Sequence, residues 1–187
     1  MVAAREAWAD AGAPDVDPTR LGVVVGTGIG GIWTTLDQWD VVRERGARRV
    51  NPFTVPMLMA NSSAANISME LGARAGAHTP VSACASGTES FYQGLMLIQT
   101  GKADVVVAGA IDDISIESVV GFGNMNATAE AAAMRAKGIS DRHFSRANDR
   151  RRGGFVEAEG GGTVILARGS VAARMGLPVA KLVVKHG

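Results

Sequence analysis

The sequence predicts an α/β fold, with helices layered on a mainly parallel sheet. Three observations predict it. Segments 21–28 (LGVVVGTG), 103–111 (ADVVVAGAI) and 161–169 (GGTVILARG) are apolar runs of strand length, the pattern of strands buried on both faces. Between them lie stretches with apolar residues at helical spacing, and strands alternating with helices favour a parallel sheet. Glycine, at 24 of 187 residues, is nearly double the roughly 7% average, a load that suits tight turns and close backbone approach.

Taken in order, residues 3–11 (AAREAWADA) read as the end of a helix, stopped by Gly12. Strand 21–28 runs into a glycine turn. Residues 31–46 read as a helix, with Ile32, Leu36, Trp39 and Val42 at helical spacing and Gly46 as its stop. Pro52 and Pro56 bracket a short loop. Residues 57–71 read as a helix whose small residues (Ala60, Ser62, Ser63, Ala64, Ala65) suit close packing. HTPVSAC (78–84) reads as a short strand, and 86–101 as a helix with a Ser or Thr cap and a Gly stop. Residues 121–154, rich in Gly, Asn and Arg, are expected to be irregular. After the strand at 161–169 come a short helix at 170–178, ended by Pro178, and a last strand at 179–187. No internal repeat stands out.

Composition removes several function classes. The length suggests one domain. Lys and Arg number 19 against 18 Asp and Glu, a formal net charge of +1, which excludes nucleic-acid binding by bulk charge. A single Cys excludes an internal disulfide and a multi-Cys zinc site. The longest apolar stretch, Leu21 to Trp33, is interrupted by five glycines and is too short to cross a bilayer. The N-terminal MVAAREAWADAG has no apolar export core, so a cytoplasmic setting is the default, and a lone reduced Cys fits it.

Four features invite a chemical reading. GTGIGG (26–31) fits G-x-G-x-x-G between a strand and a helix, the dinucleotide-binding context. The acidic residue expected about 20 positions on, at a second strand's end, is replaced by Arg45 to Asn51 and a proline loop, so a glycine turn that packs a helix on the sheet is the better reading. Cys84 lies in VSACASG, between a strand and a helix. A lone Cys is more often a small buried hydrophobe. Against that, a strand-to-helix junction exposes a side chain as nucleophile elbows do, the neighbours Ala83, Ala85, Ser86 and Gly87 are small, and the next helix aims its N-terminus at the sulfur. That terminus contributes on the order of 1 kcal/mol, so stronger activation needs a further partner, usually His.

The histidines are His78, His143 and His186. His78 precedes Cys84 by six residues, which along a strand is roughly 20 Å, too far for it to act as base. His143 and His186 read as loop and chain-end residues, and no metal constellation is present in the sequence. Arg142, Arg146 and Arg150 to Arg152 form a basic cluster, read first as a solvated loop paired with Asp141, Asp149, Glu157 or Glu159, and second as a docking patch for an acidic carrier or a phosphate.

Several segments, in order, make the chain resemble the β-ketoacyl-acyl-carrier-protein synthases, the condensing enzymes of fatty-acid synthesis. They are VVVGTGIGG (23–31), NPFTVPMLMANSSAANISMELG (51–72), VSACASG (81–87), GKADVVVAGAIDD (101–113) and SRANDRRRGGFVEAEGGGTVILA (145–167). The second half, with GFGNMNATA (121–129) and GFVEAEGGG (154–162), looks most like the synthase domain of microbial type I fatty-acid synthases, and the first half equally like free-standing type II enzymes. The Asp-Thr-Ala-Cys-Ser-Ser pattern common in modular polyketide synthases is missing.

The resemblance implies a thiolase-like α/β fold, here partial: mainly the N-terminal half of a five-layer αβαβα synthase domain over residues 1–187, without its first strand and its C-terminal half. It implies that Cys84 is the acyl-accepting nucleophile and that its backbone N–H is half of the oxyanion hole. It implies an acyl carrier protein or carrier domain as partner, and a homo-dimer, with contacts around 78–84, or a place in a multidomain synthase. No cofactor, metal, nucleic acid or membrane is implied. In the family two histidines assist the Cys from the second half of the domain, and none of His78, His143 or His186 matches them. The expectation is therefore a chain that is acylated but does not condense by itself, and that is aggregation-prone because apolar elements such as 86–100 and 103–111 face water. Met57, Leu58 and Met59 are candidates for pocket lining or for core. The rival readings are a non-catalytic, degenerate synthase acting as a partner or chain-length subunit, and a Rossmann-like nucleotide-binding domain.

Overall fold

The computed structural model describes residues 1–177, so the strand expected at 179–187, with His186, lies outside the described residues. The chain divides into two compact units, one of residues 1–112 with 161 onward, the other of residues 113–160.

The first unit is built on a four-stranded sheet of order β2-β1-β3-β4: β1 Leu21–Gly26, β2 Ala77–His78, β3 Val105–Asp112 and β4 Gly160–Ala167. β1 pairs parallel with both neighbours, Val23 opposite Ala77 and Val107. Two of the apolar runs, β1 and β3, are central strands because both of their faces are covered; β4 stands at the sheet's edge with none of its residues buried, so the expectation of a strand buried on both faces fails at 161–169. Val23, Val25 and Val107 pack with Ala4 of α1 (Val2–Asp10) and Ala64 and Ile67 of α4 (Ser62–Leu71). Val24, Val106 and Ala108 pack on the other face with Ile98 of α5 (Ser86–Gln99). The expectation that 103–111 faces water fails here, since Val105 to Ala108 are fully buried within the unit. It holds for α5, whose outer side leaves Phe91, Tyr92 and Met96 partly exposed.

At one end of the sheet a polar cluster ties three strands. Arg20 grips Asp104 with two of its nitrogens, Nε to Oδ2 at 3.0 Å and Nη2 to Oδ1 at 2.9 Å. Arg168 donates from Nε to Asp104 Oδ1 at 3.0 Å and from Nη2 to the Ile98 carbonyl. The two guanidinium groups hold the Asp104 carboxyl down at about 2, the Arg20 bonds contributing most.

Several elements differ from the sequence reading. α2 spans Ile32–Arg45 and ends at Gly46 as expected, yet Ile32 and Trp39 remain exposed and only Leu36 and Val42 are half-buried. The helix expected at 57–71 is two helices, α3 (Thr54–Leu58) and α4, because Met59 is extended (ψ 127°) and the Leu58 carbonyl accepts the Gly31 N–H instead of a helical one. The strand expected at 78–84 stops at His78; Pro80 has no N–H for a ladder, and residues 83–85 form a 3₁₀ turn. The final helix, α8 (Gly169–Met175), ends on left-handed Gly176 ahead of Pro178.

The second unit is more regular than its Gly and Asn content suggests. α6 (Ile116–Asn124) carries Gly121 and Gly123, but a reciprocal cap, in which Ser115 and Ser118 each accept the other's N–H at 3.2 Å, starts the helix despite them. The alanine-rich α7 (Ala131–Ala136) follows, capped by the Glu130 carboxylate.

Candidate active site at the Cys84 turn

The first strand ends in a turn that the chain's own groups hold. A Cβ on Gly26 would lie 2.8 Å from the Pro80 carbonyl oxygen and 2.9 Å from that of Ser86, so only glycine lets these backbones meet. Gly30 takes φ +75°, and a Cβ there would lie 3.0 Å from Ala60 Cα. The packing reading of GTGIGG therefore holds. Its polar groups are also engaged: Gly28 N–H donates to Asp112 Oδ1 at 2.6 Å, Thr27 Oγ1 donates to the same oxygen at 3.1 Å, and Gly30 N–H donates to Thr27 Oγ1 at 3.2 Å. A carboxylate thus sits where a dinucleotide reading puts phosphate.

Beside this turn lies the one that carries the cysteine. Ala83 adopts φ +49°, a left-handed conformation unusual for a residue with a Cβ, and the 3₁₀ turn Ala83–Ala85 leads directly into α5. Cys84 is exposed, which overturns its reading as a small buried hydrophobe. It stands just ahead of the N-terminus of a 14-residue helix.

Ser86 is not the helix cap expected. It is the first helical residue, fully buried, and its hydroxyl binds the turn together. Ser86 Oγ accepts the Ser82 N–H at 2.9 Å and lies 2.8 Å from the Thr27 carbonyl oxygen and 2.7 Å from that of Ala83, the acceptors for its one proton. The chain's two turns are joined through this group. Sequence reasoning found Cys84 but missed Asp112 and the bridging role of Thr27 and Ser86. The available signal was a carboxylate closing the apolar run of β3, at the carboxyl end of strands where α/β sheets place their sites.

The remaining candidates stand elsewhere. His78 is exposed in β2, and since no strand runs on to Cys84, the 20 Å separation argued from strand spacing loses its basis. His143 belongs to the other unit, its Nδ1 2.8 Å from Ser140 Oγ. In that unit the basic loop is organised on Asp149, which accepts from Arg146 Nη2 at 2.6 Å and from the Arg151 backbone N–H at 2.7 Å, with Arg151 Nε 3.5 Å away; these contacts, Arg146 first and the Arg151 N–H second, hold its carboxyl far below the usual range. Asp141 is taken by Arg135 at 2.7 Å. Met57 and Met59 are exposed, which removes them from the core.

Comparison with known proteins gives this geometry a lineage. A family described as "Beta-ketoacyl synthase, N-terminal domain" matches residues 1–172. Over 166 residues the chain is 37% identical to 3-oxoacyl-[acyl-carrier-protein] synthase 2 of Mycobacterium tuberculosis, covering 88% of this chain and 39% of that protein. The synthase 2 of Staphylococcus aureus is 35% identical over 175 residues, covering 89% and 39%. The mitochondrial 3-oxoacyl-[acyl-carrier-protein] synthase of Arabidopsis thaliana is 34% identical, covering 96% and 39%. The chain thus spans about two fifths of the length of these relatives. The crystal structure of a β-ketoacyl synthase from Burkholderia phymatum superposes with a TM-score of 0.79 at 27% identity, covering 95% of this chain and 43% of that one, so the fold is thiolase-like. Because the turn that presents Cys84 and the glycine turn beneath it both fall inside the matched segment, the site and the fold carry one conclusion: the chain belongs to the β-ketoacyl synthase family, in its N-terminal domain.

Proposed function

We propose that this chain is the nucleophile-bearing part of a 3-oxoacyl-[acyl-carrier-protein] synthase of fatty-acid biosynthesis, and that Cys84 accepts the acyl group. The single observation that carries the reading is an exposed cysteine on a strained turn at the start of a long helix. Acyl transfer needs a reachable sulfur and room for a thioester on its small neighbours Ala83 and Ala85. Cys84 Sγ attacks the thioester carbonyl carbon. A new carbon–sulfur bond forms, the bond to the carrier's sulfur breaks, and the carrier thiol leaves with the proton. In this reading the Cys84 N–H donates to the oxyanion of the tetrahedral intermediate.

Condensation follows in the whole protein. A malonyl thioester loses carbon dioxide, its enolate carbon attacks the acyl–Cys84 carbonyl, and the Cys84 thiolate is released as the 3-oxoacyl product forms. The donor and acceptor thioesters come on an acyl carrier protein, the group named in the relatives, and the reading includes a dimer and a cytoplasmic setting.

The test is intact-protein mass spectrometry after exposure to an acyl N-acetylcysteamine thioester, with peptide mapping of the adduct. The expected result is one acyl group on Cys84 and none in Cys84→Ala. A folded wild-type chain that takes up no acyl group, or an adduct that persists in Cys84→Ala, overturns the proposal.

A further inference from the structure

We infer that Asp112 is a positioning residue for Cys84, acting through a relay of hydrogen bonds rather than by touching the reacting atoms; this rests on the reading of Cys84 as the acyl acceptor. Asp112 closes β3, and its Oδ1 alone takes both the Gly28 N–H at 2.6 Å and the Thr27 hydroxyl at 3.1 Å. Thr27 is nearly fully buried, and its carbonyl oxygen lies 2.8 Å from the hydroxyl of the fully buried Ser86. Ser86 in turn holds the Ser82 N–H at 2.9 Å and lies 2.7 Å from the Ala83 carbonyl oxygen, so it grips the turn on both sides of the strained residue that precedes Cys84. A Cβ on Gly28 would lie 3.2 Å from Asp112 Oδ1 and 3.8 Å from the Ala83 carbonyl carbon, which places carboxylate, glycine turn and cysteine turn in one stack.

A turn at φ +49° on alanine does not hold itself; neighbours have to over-determine it. The relay supplies that determination, and its outer anchor is a carboxylate whose hydrogen bonds are charge-assisted. Loss of the anchor frees Thr27 and Gly28 to shift, and displacement of a reacting group by about 1 Å costs on the order of a hundredfold in rate.

The experiment measures the rate of Cys84 acylation by an acyl N-acetylcysteamine thioester in the full chain, for wild type, Asp112→Ala, Asp112→Asn and Cys84→Ala, with a thermal melt of each. Asp112→Ala is expected to slow acylation about 10- to 100-fold. Asp112→Asn, whose amide oxygen accepts the same bonds without charge, is expected to restore the rate to within about threefold of wild type. If Asp112→Ala does not fold, Thr27→Val takes its place, since it deletes the hydroxyl end of the relay at near-constant volume; it is expected to slow acylation several-fold. The inference is overturned if the folded Asp112→Ala acylates at the wild-type rate, if Asp112→Asn is as slow as Asp112→Ala, or if a substituted Thr27→Val is unimpaired. Persistent acylation of Cys84→Ala overturns the nucleophile assignment instead, so the two failures are told apart.

Discussion

Asp104→Asn offers a quantitative test of the sheet's polar clamp. Asp104 accepts three hydrogen bonds from the guanidinium groups of Arg20 and Arg168, its side chain is 21% exposed, and its carboxyl is lowered from 3.8 to about 2. A folded-state value below the unfolded one means that the unfolded chain binds the proton more tightly. The stabilisation is therefore fully present above the unfolded value near pH 4 and is lost as pH falls through about 2. A shift of this size corresponds to at most about 2.5 kcal/mol, and partial exposure of the cluster reduces it to about 1–2 kcal/mol. Asn keeps the shape but does not titrate. The assay is urea unfolding of wild type and Asp104→Asn between pH 7 and pH 2. Other carboxyls held low by partners, Glu70 by Arg5 and Asp141 by Arg135 among them, destabilise both proteins in acid equally and cancel in the difference. The wild-type advantage is expected to shrink by about 1–2 kcal/mol on going from pH 6 to pH 2. A difference that stays constant over that range, or grows in acid, refutes the reasoning.

Two further substitutions test the turns at the site. Gly30→Ala forces a Cβ to 3.0 Å from Ala60 Cα in a left-handed backbone and is expected to cost about 1–3 kcal/mol, read as a lower urea midpoint at unchanged slope. Ser86→Ala strips the Ser82 N–H of its acceptor and a buried carbonyl of its donor; it is expected to lose about 1–3 kcal/mol and to speed hydrogen exchange at residues 82–86 before the rest of the sheet.

Much of the first unit was legible because it obeys simple periodicities. The valines of β1 and β3 are apolar at every position since helices cover both faces, and α5 shows buried Ser90, Gly94 and Ile98 at i, i+4 and i+8. What failed were the places where one local interaction outweighs a pattern. The Leu58 carbonyl leaves the helical ladder for the Gly31 N–H and so breaks one expected helix into two, a choice that no property of residues 57–71 alone reveals. Pro80 truncates a strand that Val81 and its neighbours suggest. In α6 a serine pair starts a helix through two glycines that read as loop. At the site, Cys84 was legible from its neighbours, but its exposure was not, because burial of a lone cysteine depends on what the turn at Ala83 does. The carboxylate closing β3 marked Asp112, but its link to Cys84 was not legible: it lies 28 residues beyond Cys84 and is joined to it through Thr27 and Ser86.

The glycine turn shows how one motif serves opposite chemistries. A G-x-G-x-x-G turn after a strand cradles phosphate when its N–H groups are free to face an anion. Here the Gly28 N–H is already committed to Asp112 and the Gly30 N–H to Thr27. A phosphate brought to the same amides would displace those bonds and approach a carboxylate. Two like charges about 4 Å apart repel by about 4 kcal/mol at the effective dielectric of a protein surface, enough to turn the cradle into a barrier. The glycines are needed for a different purpose. Gly26 lets β1 reach the Pro80 and Ser86 carbonyls, and Gly28 fits between Asp112 and Ala83. The small residues that a nucleotide-binding turn uses to admit a ligand are used here to bring the chain against itself, and the turn they support is the one that holds Cys84 out to solvent.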